Sequence, residues 1–321
     1  MSKGLDKFYT KESVILDLID MLEMDKYDIF IEPSAGDGAF LKHLPKSKTI
    51  AMDIQPDVPE IFEEDFFNFR PSPEQHSSKS IITVGNPPFG KNSSLAIKFF
   101  NHAAKYSECI AFVLPRTFRK PSVINRLDAS FYLEREKVLE SKSNSFYLPT
   151  GEDYDVPTVI QVWKKYDNDK TREKINTVST HEDFEFLSPK KSKVFSDIRP
   201  CYSLELLSSN SESYKLKVKQ EVTLEGYKSL TEEADFCVRR VGAAAGKIYK
   251  DFKENKRDWK SHYYIKEVTP GVASTMESIN WDYHNSPKYD IAGNPSISKN
   301  ELINFYVKTK KDNMSQLEIE E

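Results

Sequence analysis

Residues Tyr27–Phe40 read YDIFIEPSAGDGAF. An apolar run of strand length ends in an acid and a proline, then two glycines one residue apart. That is how a buried parallel strand passes into a tight turn at the head of a helix. Gly36 and Gly38 let the backbone approach a ligand closely, and Glu32, at the carboxyl end of the strand, can bind an ammonium group. The dinucleotide fingerprint GxGxxG is not completed, because position 41 is Leu. This weighs against NAD and FAD and towards another adenosine-containing ligand.

Outward from this turn, short apolar runs alternate with helical stretches from Tyr27 to about Lys165. The predicted strands after YDIFIE are KTIAMD from Lys48, SIITVGN from Ser80, ECIAFVLP from Glu108, YLEREKVL from Tyr132 and VPTVIQVW from Val156. Amphipathic helices precede and interrupt them: Val14, Leu18, Met21 and Leu22 share one face, as do Leu95, Phe99 and Ala103. The pattern predicts an α/β fold with a Rossmann-like, mostly parallel sheet. No room for a long crossover helix remains before the last strand, so it is expected to run antiparallel. The polar run YDNDKTREK from Tyr166 marks a boundary between a domain over 1–165 and a smaller one over 175–321, rich in short strands. The ending MSQLEIEE reads as a frayed acidic tail.

Composition narrows the possibilities. The 321 residues carry 46 Lys and Arg against 50 Asp and Glu, a net charge of −4, so a nucleic-acid partner has to be held by a local patch. Cys109, Cys201 and Cys237 form no CxxC pair and the six histidines are scattered, which fits a reducing compartment and disfavours a metal site. No apolar run approaches the roughly 18 residues that span a bilayer, and MSKGLDKFYT lacks a signal-peptide core. The expectation is a soluble intracellular protein, cytoplasmic or nuclear, without a membrane partner.

Two further acids fall at predicted strand ends. Asp53 closes the second strand in AMDIQP, where a carboxylate can accept from ribose hydroxyls. Asp65 in EEDFF can accept from an adenine amino group, with Phe66 beside it to cover the ring. Each has a plainer alternative: the glycine turn as tight packing, Asp65 as a helix cap, and Thr10 in FYT as an N-cap. After the third strand, Val84–Gly90 read VGNPPFG; neither proline can donate to a ladder, so the segment forms a stiff turn.

Taken together, FYT at Phe8–Thr10, EPSAGDG at Glu32–Gly38, Asp53, Asp65 and NPPF at Asn86–Phe89 resemble the S-adenosylmethionine-dependent amino-methyltransferases, specifically the adenine-N6 group, over residues 1–165. Lys11 departs from the proline often found there. The resemblance implies S-adenosyl-L-methionine as cofactor, held by Thr10, Glu32, Pro33, Gly36, Gly38, Asp53, Asp65 and Phe66, and no metal. It implies catalysis by Asn86, Pro87, Pro88 and Phe89: the Asn86 side-chain oxygen and the Pro87 carbonyl each accept one hydrogen of the target amine, and Phe89 stacks on a base taken out of its helix. A second aromatic, Phe146, is expected on the other side of the base, with a core aromatic the equal alternative.

The second half adds Phe236–Lys266, FCVRRVGAAAGKIYKDFKENKRDWKSHYYIK, with nine Lys or Arg against three acids. Interleaved with Trp259, His262, Tyr263 and Tyr264, these suit phosphate contacts and base stacking, Arg239 and Arg240 foremost, beside an ordinary solvated strand pair as the alternative. RTFRKPSVINR from Arg116 is a second candidate flank for the substrate. The expected function is methylation of adenine N6 in nucleic acid, DNA ahead of RNA. Protein glutamine-N5 methylation and a non-catalytic nucleic-acid-binding subunit are the alternatives.

Overall fold

The structure, a computed structural model, describes residues 8–74, 79–140, 145–188, 191–195, 218–222, 224–252, 260–283, 286–290 and 295–320. Chain contacts divide it into two units, 1–177 with 282–296, and 178–281 with 297–321.

In the first unit, β1 (Tyr9–Thr10) and α1 (Glu12–Ile19) lead into β2 (Ile29–Glu32), β3 (Thr49–Asp53), β4 (Phe62–Glu63) and β5 (Ile81–Gly85). Then follow α2 (Ser94–Ala103), β6 (Cys109–Pro115), α3 (Pro121–Ile124), β7 (Phe131–Val138), β8 (Phe146–Tyr147), β9 (Asp153–Tyr154) and β10 (Thr158–Lys165). Seven of the strands form one sheet in the order β4-β3-β2-β5-β6-β10-β7. The pairs β3–β4, β2–β3, β2–β5 and β5–β6 are parallel, and β10 runs antiparallel to both β6 and β7. The fold is the expected Rossmann-like α/β arrangement.

Strand alternation explains the layers. Ile110, Phe112 and Leu114 of β6 pack with Ala96, Phe100 and Ala103 of α2, whereas Ala111 and Val113 pack with Val14, Ile15 and Leu18 of α1. Every residue of β5 and β6 is buried, which is why these runs are apolar apart from Thr83, whose hydroxyl is bonded to that of Ser107. The strand order reverses between β2 and β5, and a doubly wound sheet opens a crevice at the carboxyl ends there. A small antiparallel sheet, β1-β8-β9, pairs Tyr9 with Tyr147 and Thr10 with Phe146.

The domain boundary differs from the expected one in two respects. The first unit runs to residue 177, and residues 282–296 rejoin it late in the chain. An ion cluster explains the return: Asp290 is buried and accepts from Arg119 Nη1 at 2.8 Å and Arg116 Nε at 3.3 Å, while Arg119 Nε donates to Glu136 at 3.0 Å.

The second unit is built on β11 (Phe184–Leu187), β14 (Phe236–Arg239), β15 (Ile248–Tyr249) and β16 (His262–Glu267), an antiparallel sheet in the order β11-β16-β14-β15, beside a β12 (Lys191–Phe195) and β13 (Val218–Val222) pair. α4 (Leu224–Glu233), α5 (Val272–Glu277) and α6 (Lys299–Glu320) complete it. Phe184, Phe236, Val238, Ile265, Trp281 and Tyr306 share its core. The expected acidic tail is instead the last turns of α6, a span with no glycine or proline to stop it. Among the described residues, no helix is long and apolar enough to cross a membrane.

Candidate functional site

The crevice of the first unit holds a cavity of about 280 Å³. Glu32, Asp37, Asp53 and Asp65 line it, and among the described residues no Lys, Arg or His does. Of these acids Glu32 is 1 % exposed, and its Oε2 is buried without a hydrogen-bond partner. Burial, then the neighbouring charges of Asp37 and Asp53, holds the Glu32 carboxyl well above the usual carboxylate range. A buried unpaired acceptor in an acidic pocket suits a cationic donor brought by a ligand, and the same wall repels phosphate.

The glycine turn is shaped by its neighbours. Gly36 has φ +50°, and a Cβ there would stand 3.2 Å from the Tyr9 ring. Its amide donates to Asp53 Oδ2 at 3.0 Å, and Gln55 N donates to Asp53 Oδ1 at 2.8 Å. Each Asp53 oxygen keeps a lone pair for a hydroxyl donor. Asp65 is exposed and uses Oδ1 to cap the following turn, accepting from Phe67 N at 2.9 Å. Pro33 and Gly38 stand on either side of the turn, with Gly38 N donating to Ala35 O at 2.7 Å.

Asn86, Pro87 and Pro88 line the same cavity. The Asn86 carbonyl accepts from Ser34 Oγ at 3.0 Å, which ties this turn to the glycine turn. Its amide Nδ2 donates to Thr10 Oγ1 at 3.0 Å, and Thr10 is buried. The other end of the amide, Oδ1, is buried with no partner. Thr10 thus sets which way the amide faces and leaves the acceptor end open. The Phe89 carbonyl receives Leu95 N and Ala96 N, so α2 starts on the turn itself. Gly90, at φ +67°, allows this approach: a Cβ there would lie 2.8 Å from Leu95 Cβ.

One aromatic expectation needs correction. Phe146 is fully buried (0 % exposed), and Phe8 lies edge-on to it at 5.0 Å and to Phe89 at 5.3 Å. The aromatic that neighbours Phe89 is therefore Phe8, because β1 pairs with β8 and lays FYT over SFY. Phe66 is 1 % exposed, stacked on Phe99 and packed against His102, and it lines the cavity together with the half-buried Phe67 next to it.

The two tyrosines of that strand pair, Tyr9 and Tyr147, reach acids beside the glycine turn. Tyr9 donates to Asp57 at 2.6 Å and Tyr147 to Asp37 at 2.5 Å, and burial together with these bonds raises both phenol pKa values. A cross-strand bridge, Lys11 to Asp153 at 2.5 Å, holds the same small sheet. The doubled aromatic pairs Phe8–Tyr9 and Phe146–Tyr147 were the signal available for it.

The basic stretches fare unequally. Arg116 is 1 % exposed and, like Arg119, is bound to Asp290, so this pair is committed inside the unit rather than offered to a substrate. In the second unit, Arg239 Nε donates to the Val241 carbonyl at 2.8 Å, and Gly246 N donates to Arg239 O at 2.7 Å. The GAAAG segment is a packed turn: a Cβ on Gly246 would stand 2.3 Å from the Trp281 ring. His262 and Tyr264 are buried, Arg240 and Tyr263 are half-buried, and Trp259 lies outside the described residues. Among the described residues, no three His, Cys, Asp or Glu side chains are grouped to hold a metal.

No family model and no curated protein matches the chain. Solved structures give slight overlaps. A Pyrococcus horikoshii protein provisionally named as an RNA methyltransferase is 16% identical, with TM-score 0.36, covering 50% of this chain and 87% of its own. The 23S rRNA methyltransferase ErmE is 16% identical, with TM-score 0.37, covering 50% and 70%. Magnesium protoporphyrin IX methyltransferase from Synechocystis PCC 6803, solved with bound S-adenosylmethionine, is 12% identical, with TM-score 0.34, covering 48% and 77%. Overlaps of this size carry no argument about activity, and the fold stands on its own strand order.

Proposed function

We propose that the protein is an S-adenosylmethionine-dependent methyltransferase acting on the N6 amino group of adenine in nucleic acid, with DNA ahead of RNA on the pairing of FYT with EPSAGDG. One observation carries this: a cavity walled by four carboxylates, with the buried Glu32 oxygen unpartnered, opens onto the unpartnered Oδ1 of Asn86. The cofactor supplies, when bound, a methyl group made electrophilic by a sulfonium charge. Glu32 holds its ammonium group, Asp53 its ribose and Asp65 its adenine amine through the oxygen that does not cap the turn. These acids exclude a phosphate-bearing dinucleotide by charge.

The remaining residues position the amine. Asn86 Oδ1 accepts one of its hydrogens and the Pro87 carbonyl the other, which draws the nitrogen out of conjugation and aims its lone pair. No proton leaves before attack, so acceptor placement replaces a strong base. Phe89 takes the face of the target base, and Phe8, edge-on to Phe89, gives way to it.

The test is incubation with labelled cofactor and, separately, duplex DNA, single-stranded DNA, RNA, nucleosides and protein, followed by mass analysis of the nucleosides. Labelled N6-methyladenine is the expected product; label in protein glutamine, or in nothing, overturns the proposal. In Asn86→Ala, turnover falls by about 10²–10³ while cofactor affinity stays near wild type, as for loss of one oriented transition-state contact.

A further inference from the structure

Outside the cavity, the second unit holds two cations on one pair of touching aromatic rings, and neither forms an ion pair with a carboxylate among the described residues. Arg240 follows β14 in phase with Val238, on the core-facing side of the sheet, and its guanidinium lies 5.0 Å from the Tyr263 ring centre. Its Nε is buried without a hydrogen-bond partner. Lys299 opens α6, and its Nζ lies 4.4 Å from the Phe186 ring centre. The two rings meet edge to face at 5.3 Å, so the four side chains make one continuous patch.

Tyr263 pins the patch down, since its hydroxyl donates to Ile297 O at 3.0 Å. Burial, and then the charge of Arg240, pushes the Lys299 ammonium below the usual lysine range. Among the described residues, neither cation is paired with a carboxylate. The nearest acid in sequence, Glu301, is spent on the helix cap: its Oε2 takes Ser298 N at 2.7 Å and Ser298 Oγ at 2.9 Å. Two half-buried cations on adjoining rings cost stability unless an anion joins them, and a guanidinium with an ammonium at a helix start is suited to a phosphate.

We propose that Arg240 and Lys299 seat a phosphate group on the Tyr263–Phe186 platform, and that its source is the backbone of the polynucleotide. The seat itself stands on this geometry; the source rests on the proposed function. Arg239, whose Nε is bound to Val241 O, takes no part.

Two measurements on the full chain test the two halves separately. In an NMR titration of the lysine side chains, Lys299 is expected to deprotonate below the other lysines. Its midpoint should move up on adding inorganic phosphate, and also in Arg240→Gln without phosphate. A Lys299 that titrates with the rest and ignores phosphate overturns the seat.

In anisotropy titrations of labelled DNA and RNA at several salt concentrations, Arg240→Gln/Lys299→Met should flatten the log–log salt slope by about one to two units. Cofactor affinity should hold and the melting temperature should not fall, which checks the folding of the double variant, and Arg239→Gln should leave the slope near wild type. A phosphate response with an unchanged polynucleotide slope assigns the seat to free phosphate and overturns the source. A wild type that binds cofactor but no polynucleotide overturns the source together with the substrate reading, while the phosphate titration still decides the seat.

Discussion

Two carboxylates in the first unit are buried almost equally, Glu32 at 1 % exposed and Asp290 at 3 %, yet their surroundings are opposite. Burial pushes both carboxyls up. At Asp290 two guanidiniums oppose that push, and both donate to its Oδ1. At Glu32, Asp37 and Asp53 add to it, and one oxygen is left with no partner. A buried charge that is answered within the fold belongs to the fold's own stability. One left unanswered beside a cavity is held ready for something that comes from outside.

The largest expected effect is on stability at the answered site. Asp290→Ala leaves Arg116 buried without its carboxylate and should cost about 3–5 kcal/mol in urea unfolding. A loss under about 1 kcal/mol would equate the cluster with a surface ion pair and erase the contrast. Next comes Glu32→Gln, for which calorimetry should show cofactor binding weaker by about 1.5–3 kcal/mol, the range for hydrogen bonds to charged groups.

The same variant sharpens the contrast through pH. A carboxyl whose folded pKa is raised contributes stability below its unfolded pKa, and that contribution is lost as pH rises through the folded value. Ligand-free Glu32→Gln should therefore match wild type in acid and melt higher near neutrality. Wild-type binding should strengthen over that same rise, as Glu32 ionises, while Glu32→Gln binding stays flat. Parallel melting curves across pH would place Glu32 among the answered charges.

Smaller effects are expected where the backbone already shares the load. Asp53 accepts two backbone amides, so Asp53→Ala should weaken cofactor binding by roughly 1–2 kcal/mol, read by calorimetry, with turnover at saturating cofactor little changed. Tyr147→Phe removes only the bond to Asp37 and should shift affinity by about 1 kcal/mol or less.

What could be read in advance followed chain proximity. The sheet was legible because each strand carries its own apolar run, and the strand-end positions of Glu32 and Asp53 and the turn at Asn86 follow from short local motifs. Of the two readings of Phe146 the core aromatic holds, because Tyr9 pairs with Tyr147 and a register between strands so far apart in the chain has no local signature.

 The pairing of β1 with β8 decides which aromatic stands next to Phe89, and it depends on tertiary packing alone. Phe66 and Phe67 both line the cavity, and being adjacent and chemically alike they could not be told apart in sequence; the packing against Phe99 and His102 decides that Phe66 is the one held in the core. The role of Asp290 had no local signal, since its partners Arg116 and Arg119 lie on the far side of the second unit's sequence.

That late return of the chain sets a schedule for synthesis. Arg116 and Arg119 are made long before Asp290, and at about 5–20 residues per second a ribosome takes on the order of ten to thirty seconds to cover the interval. Through that time the sheet can assemble while its buried arginine still lacks the Asp290 carboxylate, and the whole second unit is being made. The first unit to begin folding is therefore among the last to finish, and a messenger cut short before codon 290 yields a nascent domain that has its glycine turn and cavity acids but not its closing ion cluster.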